Sequence, residues 1–151
     1  MTDASILRPG EGRSFQMGAD PFVVKIEPEA TDGGFAMVES RVTPGIPGPP
    51  PHVHTDDLHE YWYVLEGELE FLVGETSVRA SAGTVAHVPP GVVHTFSNPG
   101  TQTARFLGIF RPAGGLRMLE ELSEAFPDRP GEPDVGIMMA VFAAHGVQVV
   151  G

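Results

Sequence analysis

Short runs of β-branched and aromatic residues, each ended by glycine or proline, recur between residues 22 and 110 and constrain the fold more than any other feature. β-Branched and aromatic residues favour strands, whereas glycine and proline favour the turns between them. Short strands at this regular spacing predict an all-β sandwich or barrel. We expect strands over 22–26, 35–42, 61–65, 68–73, 76–80, 83–88, 92–96 and 105–110.

The C-terminal part of the chain carries a different pattern. Apolar residues recur at helical spacing over 115–126, and Pro127 is expected to end that helix. Asp134 suits the N-cap of a second helix that runs to Ala144, with Gly146 as its stop. Two short helices are therefore predicted to follow the strands.

The length of the chain suits one domain. Neither predicted helix could bury its apolar face alone, so we expect both to pack on the β structure. The single domain would span residues 1–151, with a barrel at about 20–112 and a helical extension at about 113–151.

The charge and the cysteine count exclude several classes of function. The net charge is −11, and nucleic acids and anionic membranes are bound through clustered basic residues, so we expect neither partner. The chain has no cysteine, so a metal would need imidazole or carboxylate ligands. No signal-peptide pattern and no run of roughly 20 apolar residues is visible, which predicts a cytoplasmic protein.

Two histidine-containing segments are candidates for a metal site. His52 and His54 stand two residues apart, so on an extended backbone both imidazoles point to one side and can reach one ion. The proline-rich segment 44–51 before them cannot be a helix or a central strand, and we interpret it as a stiff approach that positions His52. The second segment, 83–98, contains His94.

Together these segments resemble the two sequence motifs of the cupin family. The second motif is matched in full by Gly83, Pro89, Gly91, His94 and Asn98. The first motif is matched by His52, His54, Glu60 and Gly67. The resemblance implies a double-stranded β-helix, which is a jelly-roll-like barrel, with one divalent metal ion inside it and commonly a homodimer.

The spacing leaves the fourth metal ligand open. Counting forward from His54 along the family pattern reaches His59, whereas counting back from Gly67 reaches Glu60. A surface loop that absorbs the extra residue favours Glu60, and a bulge that turns the preceding side chain inward favours His59. We favour His59, because a four-histidine centre resembles that of the cupin-type polyketide cyclases. Glu60 would then be a catalytic proton carrier.

The choice of ligand sets the metal and its chemistry. Four neutral imidazoles leave the full charge on the ion, which favours zinc and Lewis-acid catalysis. Three histidines with Glu60 leave a charge near +1, which suits Fe, Mn, Ni or Cu and reactions with O₂.

The positions of the remaining histidines and of the aromatic residues predict their roles. His87 is expected to be structural or exposed, and His145 to cap the second helix, where a cation offsets the helix dipole. A cupin interior also houses the substrate, so its inward-facing aromatic residues would form an apolar wall. The pocket is expected to contain Trp62, Tyr63, Phe96 and Met37.

Three functions are consistent with these residues. The first is a metal-dependent enzyme that cyclises an apolar, oxygenated aromatic or polyketide-type molecule with Lewis-acid assistance. The second is an O₂-dependent dioxygenase, because segment 60–71 resembles the single-domain quercetinases. The third is a non-catalytic cupin that only binds a small molecule, and the complete set of ligand histidines counts against it.

Overall fold

The computed structural model describes residues 3–46, 48–126 and 133–151. Within these ranges the chain forms eleven strands, two α-helices and one short 3₁₀ turn at Pro28–Thr31. The strands are β1 (Arg13–Met17), β2 (Asp20–Ile26), β3 (Ala36–Val42), β4 (His52–His54), β5 (His59–Glu66), β6 (Glu68–Val73), β7 (Thr76–Ser81), β8 (Val85–Val88), β9 (His94–Ser97), β10 (Ala104–Arg111) and β11 (Val147–Val149). The helices are α1 (Gly114–Ser123) and α2 (Val135–Ala144).

The strands assemble into two antiparallel sheets. The six-stranded sheet has the order β1-β2-β3-β10-β5-β8, and the five-stranded sheet has the order β11-β4-β9-β6-β7. Trp62 and Val64 of the first sheet share a buried cluster with Leu69 and Phe71 of the second, so the inner faces pack against each other. The all-β prediction is confirmed, and the expected barrel takes the form of these two opposed sheets.

Alternating side chains explain why the sheets face each other. In β10 the residues Ala104, Phe106, Gly108 and Phe110 are buried, whereas the residues that alternate with them are at least partly exposed. Alternate residues of a strand point to opposite faces, so one face of each strand enters the core. All eight predicted strands are present with ends that differ by at most two residues, while β1, β4 and β11 are additional.

The two helices follow the strands as predicted. Asp134 caps α2, because its carboxylate accepts a hydrogen bond of 3.1 Å from the backbone N–H of Ile137. His145 is the C-cap residue of α2, and its Nε2 lies 2.7 Å from Oε2 of Glu121 in α1. α1 ends at Ser123, three residues before the predicted end at 126, and the predicted stop at Pro127 lies outside the described residues. In the described part of the chain, no helix is both long enough and apolar enough to span a membrane.

Candidate metal centre

Four side chains from both sheets converge on one point inside the sandwich. His52 and His54 lie on β4, and His52 is the register partner of His94 on β9. Glu60 lies on β5 of the opposite sheet. One nitrogen or oxygen atom from each of the four side chains lies within 4.8 Å of the others. This group is called the His₃Glu cluster below.

The residues directly before His52 lie against β9 and are held there by contacts with Thr95 and Phe96. The hydroxyl of Thr95 donates a hydrogen bond of 2.5 Å to the carbonyl of Pro49. Gly48 has a φ of +73°, and a Cβ at that position would overlap the carbonyl oxygen of Phe96. Only glycine combines this backbone conformation with such a close approach. Gly48 and Pro49 of the approach segment are therefore seated on β9, a contact that the sequence did not predict.

Asn98, the last residue of the second motif, supports the same region. Its side chain is fully buried, and its Nδ2 donates hydrogen bonds of 2.9 Å to the carbonyls of Val42 and Gln102. Its backbone N–H donates to the carbonyl of Ile46 at 2.9 Å, while its own carbonyl accepts from Gly45 at 2.8 Å. Asn98 therefore holds the approach segment in place and is not a member of the cluster.

The cluster is buried and tightly spaced. The exposed fractions of His94, His54 and Glu60 are 1%, 2% and 8%. Oε2 of Glu60 lies 2.7 Å from Nε2 of His94 and 2.9 Å from Nε2 of His54. The ring centroids of His52 and His94 are 4.3 Å apart. Polar groups as deeply buried as these need close partners.

The tautomers of two histidines fit a bound cation. Nδ1 of His52 donates to the carbonyl of Pro50 at 2.8 Å, and Nδ1 of His94 donates to the carbonyl of Val92 at 2.9 Å. These bonds leave the Nε2 lone pairs free to bind a metal, which is the usual arrangement of metal-binding histidines. Pro50 and Val92 therefore support the site through their backbones.

Glu60 gives a second reason why the residues fit a cation. Neutral His94, protonated at Nδ1, aims its Nε2 lone pair at a carboxylate oxygen 2.7 Å away. Two lone pairs at that distance repel each other unless a proton or a metal cation lies between them. Nδ1 of His54 is also buried without a hydrogen-bond partner among the described residues. The donor set of three imidazoles and one carboxylate suits a divalent transition metal.

The electrostatics favour the metal-binding forms of His52 and Glu60, whereas His94 must give up a proton when it binds a metal. Burial together with the nearby His94 lowers the pKa of His52 to about 4, so His52 is neutral at pH 7. Burial opposes ionisation of Glu60, but hydrogen bonds from His54 and His94 outweigh it and lower the pKa of the carboxyl well below its usual range. Burial likewise opposes the charging of His94, and its hydrogen bond to Glu60 outweighs that effect and raises its pKa.

The structure corrects the preference for His59. His59 and Glu60 are neighbours on β5, so their side chains point to opposite faces of the sheet. Nδ1 of His59 lies 3.0 Å from Nε2 of His87 on the outer face, away from the three histidines. Because Glu60 takes the inner position, the zinc preference that was tied to His59 loses its basis. His87 is exposed, as expected.

Two of the four residues predicted to line the pocket lie near the cluster, and two do not. Trp62 is buried with its ring centroid 5.7 Å from that of His94, and the ring of Phe96 lies 5.6 Å from Trp62. Tyr63 is 45% exposed, because it alternates with the buried Trp62 on β5. Met37 lies between two buried residues of β3 and therefore also points to the outer face. The expectation that Tyr63 and Met37 line the pocket is corrected accordingly.

Comparisons with known proteins agree with this architecture. Residues 38–110 match the family described as a cupin domain. No curated protein matches the sequence. A predicted oxalate decarboxylase from Thermotoga maritima is 20% identical, with 72% of this chain and 99% of that chain covered and a TM-score of 0.65.

Two further solved structures have similar folds. The polyketide cyclase RemF from Streptomyces resistomycificus is 21% identical, with 72% of this chain and 80% of that chain covered and a TM-score of 0.60. KdgF from Halomonas sp. is 15% identical, with 73% of this chain and 94% of that chain covered and a TM-score of 0.61. At these identities the likeness establishes the fold and leaves the reaction to the site itself.

Proposed function

We infer that this chain, which carries a cupin domain over residues 38–110, is a metal-dependent enzyme that acts on an apolar, oxygenated small molecule. The single observation that carries the proposal is the His₃Glu cluster, in which His52, His54, His94 and Glu60 would hold one divalent ion. Trp62 and Phe96 would bind the substrate beside it and exclude water.

Within that class we propose an O₂-dependent dioxygenase of the quercetinase type. Glu60 as the fourth ligand supports this reaction, because one carboxylate reduces the net charge of the site and suits redox-active metals. A bound Fe, Mn, Ni or Cu ion would supply the chemistry with O₂. The protein would contribute a dry pocket and a fixed orientation of the flat substrate against Trp62.

A second candidate is Lewis-acid-assisted cyclisation of a polyketide-type substrate. The fold shared with the Streptomyces polyketide cyclase favours it, as does the aromatic wall beside the cluster. In this reaction Glu60 would be the catalytic residue that moves a proton through Oε2 during enolisation. The third candidate, a non-catalytic binding protein, is a further outcome of the experiment below.

The experiment measures metal content and oxygen consumption together. We would load metal-free protein separately with Fe²⁺, Mn²⁺, Ni²⁺, Co²⁺ and Zn²⁺, and then add the flavonol quercetin in an oxygen electrode. Oxygen uptake is expected with the redox-active metals, but not with zinc, which has no redox chemistry. The variant His94→Ala should lose both the metal and the uptake, whereas His59→Gln should keep both.

Each other result points to a different function. A different result would be conversion of a polyketide-type substrate without oxygen and equally well with zinc. That result would contradict the dioxygenase proposal and support the cyclase proposal. A flavonol that binds but is never converted with any metal would favour the non-catalytic protein. Wild-type protein that retains no metal after dialysis against each ion would overturn the metal-dependent proposal as a whole. The homodimer implied by the family stays a prediction, which light scattering after size exclusion tests.

A further inference from the structure

A cleft opens on the side of the sandwich between the edge strands β7 and β8. It has a volume of about 260 Å³ and is lined chiefly by Phe71, Val73, Thr76, Val78, Ala86 and His87. We call this cleft the side slot. A larger cleft of about 560 Å³ lies beyond the opposite ends of β5 and β9 from the cluster, so it is not close to the chemistry.

The side slot exists because the inner face of β7 is left uncovered at Val78, although Ala80 on the same face is fully buried. Val78 is the register partner of the buried Phe71, so both side chains lie on the inner face of their sheet. Phe71 is 1% exposed, whereas Val78 is 42% exposed. An inward-facing apolar position that remains open to solvent marks a place where another apolar group can be buried.

The floor of the side slot adjoins the His₃Glu cluster. Val73 is the register partner of His94, and Ala86 is the register partner of Trp62. Directly opposed residues of an antiparallel pair have Cα atoms about 4.5–5.5 Å apart and side chains on the same face. The slot is therefore one row of side chains away from a cluster histidine and from the aromatic wall.

The residues that line the side slot indicate which class of small molecule it can bind. His87, at the rim, is the one ionisable side chain among the described residues that line the slot, and no lysine or arginine is among them. The chain has a net charge of −11, which disfavours the approach of an anion. The volume is slightly below the roughly 300 Å³ of drug-sized sites, so about two fused rings would fit.

We propose that the side slot holds the ring system of a neutral, flat aromatic substrate whose oxygen atoms reach toward the His₃Glu cluster. The inference rests on the proposed function and adds the place and the polarity of the substrate. Phe71, Val73, Val78 and Ala86 would contact the rings. Organic acids and phosphorylated sugars whose charged groups would lie in the slot would be excluded, because the lining of the slot offers them no cationic partner.

The test uses two probes that share one ring system, neutral 2-naphthol and anionic 2-naphthoate, with nickel-loaded full-length protein at pH 7. Isothermal titration calorimetry should show that 2-naphthol binds at least about tenfold more tightly than 2-naphthoate. Val78→Trp fills the slot and should weaken 2-naphthol at least about tenfold without a change in nickel content. Ser77→Trp is the matched control, because Ser77 precedes Val78 on β7 and points outward, and it should bind as the wild type does.

Amide chemical shifts of the wild type provide a measurement that needs no variant. Saturation with 2-naphthol should move the amides of Thr76, Val78 and Ala86. Shifts confined to other regions would overturn the proposal, even if Val78→Trp did not fold. Equal affinity of Val78→Trp and the wild type for 2-naphthol would overturn it as well.

The fate of the slot and that of the proposed function can be separated. If the wild type carries no metal but Val78→Trp abolishes the binding of 2-naphthol, the proposed binding site is supported and the proposed metal-dependent function is contradicted. If Val78→Trp consumes oxygen with quercetin at the rate and KM of the wild type, the slot is overturned and the dioxygenase stands.

Discussion

Glu60 and His59 are adjacent on β5, and their side chains lie on opposite faces of the six-stranded sheet. Glu60 reaches inward to His94 at 2.7 Å, whereas His59 contacts His87 on the outer face at 3.0 Å. A regular strand admits only one of two neighbours to its inner face. The fourth position of the cluster is therefore an anion, and the site differs from a four-histidine centre in charge as well as in geometry.

The first prediction separates these neighbours by substitution. Glu60→Gln keeps the shape of the side chain but removes its charge, so affinity for Ni²⁺ or Mn²⁺ should fall by at least about tenfold. His59→Gln is the matched control on the adjacent outward position, and its affinity should equal that of the wild type. Competition with a chromophoric chelator measures both values. A loss of metal in His59→Gln with full retention in Glu60→Gln would reverse our assignment.

The alternation of β5 shows what could be predicted from the sequence. Glu60 and Trp62 are two residues apart, so an inward Trp62 requires an inward Glu60, whereas His59 and Tyr63 belong to the other face. We expected both His59 and Trp62 to point inward. These residues are three apart, so a regular strand would place them on opposite faces, and only a bulge between them would allow both to point inward. The register of β5 with β8 is continuous from Glu60 to Tyr63, and so no bulge occurs there.

Other features had no signal in the sequence. Pro50 and Val92 hold the cluster histidines through backbone carbonyls, whose directions depend on turn geometry rather than on side-chain type. Strand β11 pairs with β4 through Val147 and His54, a contact between distant parts of the chain. By contrast, the three histidines and the approach segment were predictable, because their spacing and proline content restrict the backbone directly.

The second prediction concerns removal of the metal. A ligand that binds only the folded state stabilises it, by about 3 kcal/mol at a free concentration of 100 times Kd. For a chain of this length that corresponds to a rise in Tm of roughly 5–10 °C. Dialysis against EDTA should lower the Tm by this amount, and readdition of Ni²⁺ should restore it. His94→Ala should show no metal-dependent change in Tm, and a shift equal to that of the wild type would contradict its place in the cluster.

The third prediction tests how the approach segment positions His52. Gly45 and Gly48 both have positive φ values, +83° and +73°, but only at Gly48 would a Cβ overlap the backbone of Phe96. Gly45→Ala should cost about 1–2 kcal/mol of unfolding free energy, from its backbone conformation alone. Gly48→Ala should cost more than about 3 kcal/mol, because the overlap adds to the same strain.

The same pair of variants should differ in metal binding. Gly48→Ala moves the segment that precedes His52 off β9, so its metal affinity should fall, whereas Gly45→Ala should bind metal as the wild type does. Urea denaturation and chelator competition measure the two effects. Equal losses of stability and affinity in both variants would show that the close approach to Phe96 does not position His52.

The fourth prediction uses the one tryptophan of the chain as a reporter. The ring of Trp62 lies 5.7 Å from that of His94, so an ion in the His₃Glu cluster would be close to the indole. Paramagnetic Cu²⁺ or Ni²⁺ should quench the tryptophan emission in proportion to occupancy and saturate at one equivalent, whereas diamagnetic Zn²⁺ should change it little. His94→Ala should abolish the quenching, and His87→Gln should leave it intact, because His87 lies on the outer face. Quenching that survives in His94→Ala but disappears in His87→Gln would place the ion at the outer histidine pair and not between the sheets.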